Sequence, residues 1–293
     1  MTTPKVREGY VNVPGGKVWY QIVGSGDAIP LLTLHGGPGC PHDELEPLQG
    51  LADERPIVFY DQLGCGKSDR PDDVSLWHVE RFVEELGRLR EALGLQRVHI
   101  LGHSWGSMLA TDYTLTQPAG LVSLILASPI LSVPRLRKDT TELLSQLPAE
   151  VQEVLSRHEA AGTMDSEEYQ GAMMEFTKRY MCRLDPMPES LMRSIQGIGV
   201  QVILTMWGPA SWLITGNLKD YDRSDRLHEI RVPTLFTCGR YDYATPEATA
   251  WYQSLLLGSE MAVFEDSSHT QPLEEAEPYL ATVRDFLRRV ERK

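Results

Sequence analysis

Short apolar runs bounded by turn residues recur along the first half of the chain: Lys17 to Val23, Ile29 to Leu34, Pro56 to Tyr60 and Arg97 to Leu101. Runs of this length and setting predict strands. Between the last two, Leu76, Val79, Phe82, Val83, Leu86, Leu89 and Leu93 fall three or four apart. That spacing predicts an amphipathic helix, with Ser75 placed to cap its start and Gly94 its end. A helix from about Trp105 to Gln117, stopped by Pro118, and a strand over Leu121 to Ala127 follow. Strand, helix, strand in this rhythm predicts an α/β fold, a mainly parallel sheet with helices on both faces.

From about Ile130 to Ser224 the strand runs vanish, and Met, Glu and Leu dominate pieces such as Thr141 to His158 and Glu167 to Met181. Strand patterns return at Val232 to Thr237 and Met261 to Phe264. A closing helix carries Leu280, Val283, Phe286, Leu287 and Val290 on one face. The expected organisation is a core made of residues 1–129 and 225–293 with a helical cap, residues 130–224, inserted between them. The 293 residues, 42% of them apolar, suffice for such a core plus an insertion.

Charge narrows the function classes. With 28 Lys and Arg against 41 Asp and Glu, the net charge of −13 repels a phosphate backbone, so nucleic acid is not an expected partner. No run of about 18 apolar residues suits a membrane span, and the first residues lack the apolar stretch of a secretory signal. A cytoplasmic protein is expected. Cys40, Cys65, Cys182 and Cys238 are scattered without a C-x-x-C pair, so neither a zinc site nor a disulfide framework is expected.

The most specific chemical signal is Gly102-His103-Ser104-Trp105-Gly106, a G-x-S-x-G string between an expected strand and an expected helix. In that context the central serine is thrust out at the carboxyl edge of the sheet, and the small flanking residues let the backbone pass closely. A serine hydroxyl needs a base to take its proton and an acid to orient that base. His269, in a turn just after the last strand, is the expected base. His228 lies in a charged run and reads as a surface residue. Asp242, in the turn after the strand ending at Thr237, is the expected acid, with Asp266 as its rival. Charge building on the carbonyl oxygen calls for backbone N–H donors. The amide of Trp105 is one, and Gly37 of His35-Gly36-Gly37-Pro38-Gly39 is the expected other. Gly64-Cys65-Gly66-Lys67-Ser68 ends like a phosphate-binding loop, but Asp61 stands where that motif needs glycine, so the segment reads as a structural turn.

Taken together, His35-Gly36-Gly37-Pro38-Gly39, Tyr60 to Ser68, Gly102 to Gly106 and Gly239-Arg240-Tyr241-Asp242 resemble the proline iminopeptidase family of α/β-hydrolases, and Ile214 to Asp222 looks like that family's passage from cap to core. The likeness spans nearly the whole chain. It implies an α/β-hydrolase fold and an aminopeptidase or amidase working without metal or organic cofactor on a small molecule or short peptide. It also implies acidic residues gripping the substrate's free amine, one in a G-P-x-E segment of the cap and one directly after the catalytic Asp. This sequence has Gly208-Pro209-Ala210-Ser211 at the first place and Tyr243 at the second.

Glu175 or Glu189 of the cap are candidate substitutes, and otherwise the pocket suits a less charged substrate. Trp207, Trp212 and Met206, with Ser211 and Tyr243, are expected to line it. Three readings follow: an amide or peptide hydrolase, an esterase or lactonase with the same machinery, and a non-catalytic ligand-binding protein of this fold. Leaving-group chemistry separates the first two, and the presence of Ser104, Asp242 and His269 weighs against the third.

Overall fold

The computed structural model describes residues 5–292. Eight strands form one sheet: β1 (Val6–Val13), β2 (Gly16–Val23), β3 (Leu31–Leu34), β4 (Ile57–Tyr60), β5 (Val98–His103), β6 (Leu121–Ala127), β7 (Thr234–Gly239) and β8 (Glu260–Phe264), in spatial order β1-β2-β4-β3-β5-β6-β7-β8. The pairs β1/β2 and β2/β4 are antiparallel and the others parallel. Helices α1 (Val79–Ala92) and α2 (Trp105–Leu115) alternate with the strands. Helices α3 (Val133–Ser145), α4 (Ala149–Ala161), α5 (Glu167–Phe176), α6 (Glu189–Gln196) and α7 (Val200–Met206) all lie between β6 and β7. Helix α8 (Pro246–Leu255) precedes β8, and α9 (Gln271–Glu274) and α10 (Ala276–Glu291) close the chain. None of these helices is long and apolar enough to cross a membrane.

The central strands are buried on both faces, which is why their sequences read as continuous apolar runs. Successive residues nevertheless serve different cores, as the strand period of two requires. Leu32, Val58, Ile100, Leu124 and Phe236 join one cluster with α1, α2 and the cap. Leu31, Ile57, Leu101, Ile125 and Leu235 join a second with Tyr279, Val283, Phe286 and Leu287 of α10.

The α/β class with a helical insertion holds, with three local departures. The edge strand β1 carries Glu8, Gly9 and Asn12 among its residues and is mostly exposed, so it has no apolar run to betray it. Ser75 does not cap α1: Asp73 caps a short 3₁₀ turn over Val74–Leu76, accepting from the Ser75 amide at 3.0 Å, and α1 begins at Val79. Thr141 to His158 is not one helix, because Pro148 lacks the amide needed to continue it, and α3 and α4 separate there.

Several polar contacts tie the cap to the core. Arg193 of α6 reaches Asp43 at 2.9 Å and Glu46 at 2.5 Å, and Asn217 donates to the Trp77 carbonyl at 2.7 Å.

Candidate active site

Four loops meet at the carboxyl ends of the parallel strands β3, β5, β7 and β8, where this topology places a ligand crevice. Ser104 follows β5 in a left-handed backbone conformation, φ 55° and ψ −119°, that a non-glycine residue adopts only when its surroundings enforce it. The enforcement is visible. The Ser104 amide donates to the Ala127 carbonyl of β6 at 2.9 Å, and the Ser104 carbonyl accepts from Ser107 N at 2.8 Å. A Cβ on Gly106 would stand 2.1 Å from the Leu34 carbonyl oxygen, so only glycine lets α2 start this close to β3. Gly106→Ala is expected to lower stability by roughly 1–3 kcal/mol, measured by urea denaturation. An unchanged midpoint would mean that the elbow relaxes freely.

Asp242 and His269, each about 2% exposed, come together from the loops after β7 and β8. His269 Nδ1 donates to Asp242 Oδ1 at 2.7 Å. The same oxygen accepts from Ala244 N at 2.8 Å, and Oδ2 accepts from Gln271 Nε2 at 3.3 Å. A carboxylate used only as acceptor keeps the proton on Nδ1 and leaves Nε2 as the basic nitrogen. The His269 carbonyl is itself held by His103 Nε2 (2.8 Å), Ser128 Oγ (2.8 Å) and Gln271 Nε2 (3.0 Å). Asp266, the rival acid, is exposed, and its amide donates to Glu275, while His228 is exposed on a short 3₁₀ turn over Ser224–Glu229.

Trp105 opens α2, so its amide has no acceptor within the helix. Its indole Nε1 donates to Gln62 Oε1 at 2.8 Å, and Gln62 N in turn donates to His35 Nε2 at 2.9 Å. The turn after β4 thus braces both the sharp turn at Ser104 and the Gly-rich loop. Its resemblance to a phosphate-binding loop is one of letters only: Ser68 Oγ donates to the Asp61 carbonyl and accepts from Trp19 N, and the Lys67 ammonium lies 4.0 Å from the centre of the Trp19 ring.

A cavity of about 380 Å³ opens over these groups, lined by Gly37, Ser104 and His269 below and by Trp207, Ser211 and Trp212 from the cap. Met173, Phe176, Met181, Leu191 and Ile203 make most of its remaining wall apolar. Tyr243 also lines it, its ring centred 4.2 Å from that of His269. Burial and the nearby Asp242 charge push the Tyr243 phenol up, against a smaller opposing contact with Ser104, so the hydroxyl stays protonated. Trp212 Nε1 donates to Glu159 at 2.8 Å, and Ser211 Oγ to Met181 Sδ at 3.4 Å.

The cap acids named as candidates lie elsewhere: Glu189 is exposed, Glu175 is half-exposed beside Arg179, and neither lines the cavity, nor does Met206, which is buried in the core. The carboxylate that does line it is Glu44, which the sequence reading passed over. Its one signal was an acid placed within ten residues of the Gly-rich loop in a segment that otherwise buries Leu45, Leu48 and Leu51. A separate group, His42, Asp43 and Glu46, brings three potential ligand atoms within 4.8 Å of one another. Here His42 Nδ1 faces Asp61, and the two carboxylates of the group, Asp43 and Glu46, are both already engaged by Arg193.

The family model for the alpha/beta hydrolase fold matches residues 29–276. A proline iminopeptidase of Heyndrickxia coagulans is 48% identical over 282 residues, covering 96% of this chain and 98% of that one. Among solved structures, VinJ is 35% identical with a TM-score of 0.94, covering 97% of this chain and 99% of the other. The proline iminopeptidase of Mycobacterium smegmatis is 34% identical with a TM-score of 0.90, covering 97% and 98%.

Proposed function

This chain belongs to the proline iminopeptidase family of α/β-hydrolases and is a hydrolase of peptidase type; on that premise we propose that it cuts an amide or peptide bond through an acyl-enzyme on Ser104. The observation that carries this reading is the 2.7 Å hydrogen bond from His269 Nδ1 to Asp242, buried beside a serine held at φ 55°. Ser104 Oγ attacks the carbonyl while His269 Nε2 takes its proton. The amides of Gly37 and Trp105 hold the oxyanion, each donor contributing about 3 to 4 kcal/mol. His269 then protonates the departing amine, and water releases the acyl group by the same steps in reverse. Trp207, Ser211, Trp212 and Tyr243 contact the substrate. The place of action is a reducing compartment, the cytoplasm, on the four cysteines scattered along the chain and unpaired in the structure.

An esterase or lactonase is the second reading, favoured by the neutral Ser211 and Tyr243 and the apolar wall around them. Two measurements test the proposal. A fluorophosphonate should form one adduct, located by mass spectrometry on the peptide containing Ser104. A panel of prolyl and other aminoacyl arylamides, their N-blocked forms, simple esters and lactones should show turnover of the free-amine arylamides. Labelling at another residue would overturn the mechanism, and turnover confined to esters and lactones would decide for the second reading.

A further inference from the structure

Glu44 lies in the catalytic cavity, 8% exposed, in the segment after the Gly-rich loop. Its Oε1 accepts from Gly36 N at 2.8 Å and from His103 Nδ1 at 2.9 Å. Oε2 accepts no hydrogen bond among the described residues and is not sealed away from the cavity. The state of His103 follows from its partners. Nδ1 faces the Glu44 carboxylate and Nε2 faces the His269 carbonyl at 2.8 Å, two acceptors, so both nitrogens carry hydrogen and the ring is an imidazolium.

Burial, the largest influence, opposes that charge, but the charge and hydrogen bond of Glu44, with the His269 carbonyl and the Asp242 charge, together raise His103 above its ordinary value. Burial also opposes the ionised Glu44. The charge and hydrogen bond of His103, with the Gly36 amide, overcome it and bring the carboxyl down to about 2. Glu44 is therefore a carboxylate with one oxygen anchored and the other open, in a cavity whose remaining walls are mostly apolar. No other carboxylate lines that cavity among the described residues.

The His103 imidazolium pairs with the anchored oxygen, but the open one still accepts, and in apolar surroundings the strongest match for a carboxylate oxygen is a charged N–H donor. Its location identifies the donor. A Cβ built on Gly36 would lie 2.8 Å from Glu44 Oε1 and 3.3 Å from Ser104 Cβ, so the carboxylate oxygen and the side-chain carbon of Ser104 are at most about 6 Å apart. In an aminoacyl group on Ser104, the α-nitrogen is two bonds from the carbonyl carbon and falls within that short span. We infer that Glu44 receives the free α-ammonium of the acyl donor, which the neutral Ser211 and Tyr243 cannot balance. The substrates are then N-terminal aminoacyl compounds with an unblocked amine. This rests on the amide-hydrolase reading above.

The test uses competition, so that binding is read apart from amide cleavage. Hydrolysis of an uncharged aryl ester is inhibited with prolinamide and with tetrahydrofuran-2-carboxamide, which has ring oxygen in place of the ammonium. Wild type should prefer prolinamide by roughly 30-fold, and Glu44→Gln should reduce that ratio to within about threefold. A merely structural role would lower the ester rate and leave the ratio intact. Equal inhibition of wild type by the two amides, or a ratio that survives in Glu44→Gln, would overturn the inference. Should Glu44→Gln unfold with an unpaired imidazolium, Glu44→Gln combined with His103→Asn removes both charges and serves the same comparison. Ammonium-selective inhibition without any turnover of prolyl arylamide would overturn the amide-hydrolase reading and leave the Glu44 subsite standing.

Discussion

Ser104→Ala should fold like the wild type and lose activity by a factor of about 10⁶ in kcat on the best arylamide or ester of the panel. The change removes one buried oxygen and no volume that holds the elbow. The contacts that impose φ 55° are the amide and carbonyl of Ser104 and the close approach of Gly106, and alanine keeps the first two and does not touch the third. Thermal unfolding should therefore move by no more than about 2 °C, a small surface-like effect. On the proposed mechanism, what disappears is the only step that makes an acyl-enzyme. On the same mechanism, the residual rate comes from substrate binding and from the amides of Gly37 and Trp105, assigned there to stabilise the oxyanion for attack by water. Single-turnover measurements at saturating substrate separate that loss from any change in binding. A variant retaining more than about a hundredth of the wild-type kcat would refute nucleophilic catalysis by Ser104.

Asp242→Asn is the second large effect, and the surroundings of Asp242 set its size. An amide side chain has one oxygen and one nitrogen to place, and the two orientations differ sharply here. Ala244 N is a fixed backbone donor 2.8 Å from Oδ1, the same atom that accepts from His269 Nδ1. With the asparagine oxygen at that position, both donors stay satisfied and His269 keeps its proton on Nδ1. The nitrogen then faces Gln271 Nε2, which lies 3.3 Å from Oδ2 and must turn away. In the other orientation the nitrogen meets Ala244 N and forces His269 into the tautomer whose Nε2 already bears a proton. The first orientation costs less, because a side-chain amide moves more easily than the backbone.

The loss should therefore be that of the negative charge opposite the transient imidazolium, about 10²- to 10³-fold in kcat, with KM little changed. The wrong tautomer would bring the loss to about 10⁴-fold. The two are distinguished by kcat together with the ¹⁵N shifts of His269, and a kcat within threefold of wild type would remove Asp242 from the mechanism.

The alternation of apolar runs and amphipathic helices was legible along the sequence because each depends on neighbours a few residues away. So were the sharp turn at Gly102 to Gly106, whose small residues announce a close approach, and the long helical interruption before Val232. Errors fell where local pattern is weak or misleading. The exposed β1 lacks apolar repetition, Ser75 falls inside a separate short turn capped by Asp73 and not at the start of α1, and Pro148 divided a stretch whose composition is helical throughout.

By itself the sequence determined the α/β layering, the serine in its turn, and the neutrality of Ser211 and Tyr243. Only the tertiary structure decided which acid meets His269, since Asp242 and Asp266 are both turn residues and differ in the side of the loop that faces inward. It also decided that Glu175 and Glu189 stay outside the cavity while Glu44 enters it. The physical reason is the same in both cases. A carboxylate's neighbours across a parallel sheet come from strands far apart in the chain, and its charge state and free oxygen depend on those neighbours, here Gly36 and His103, which no local pattern encodes.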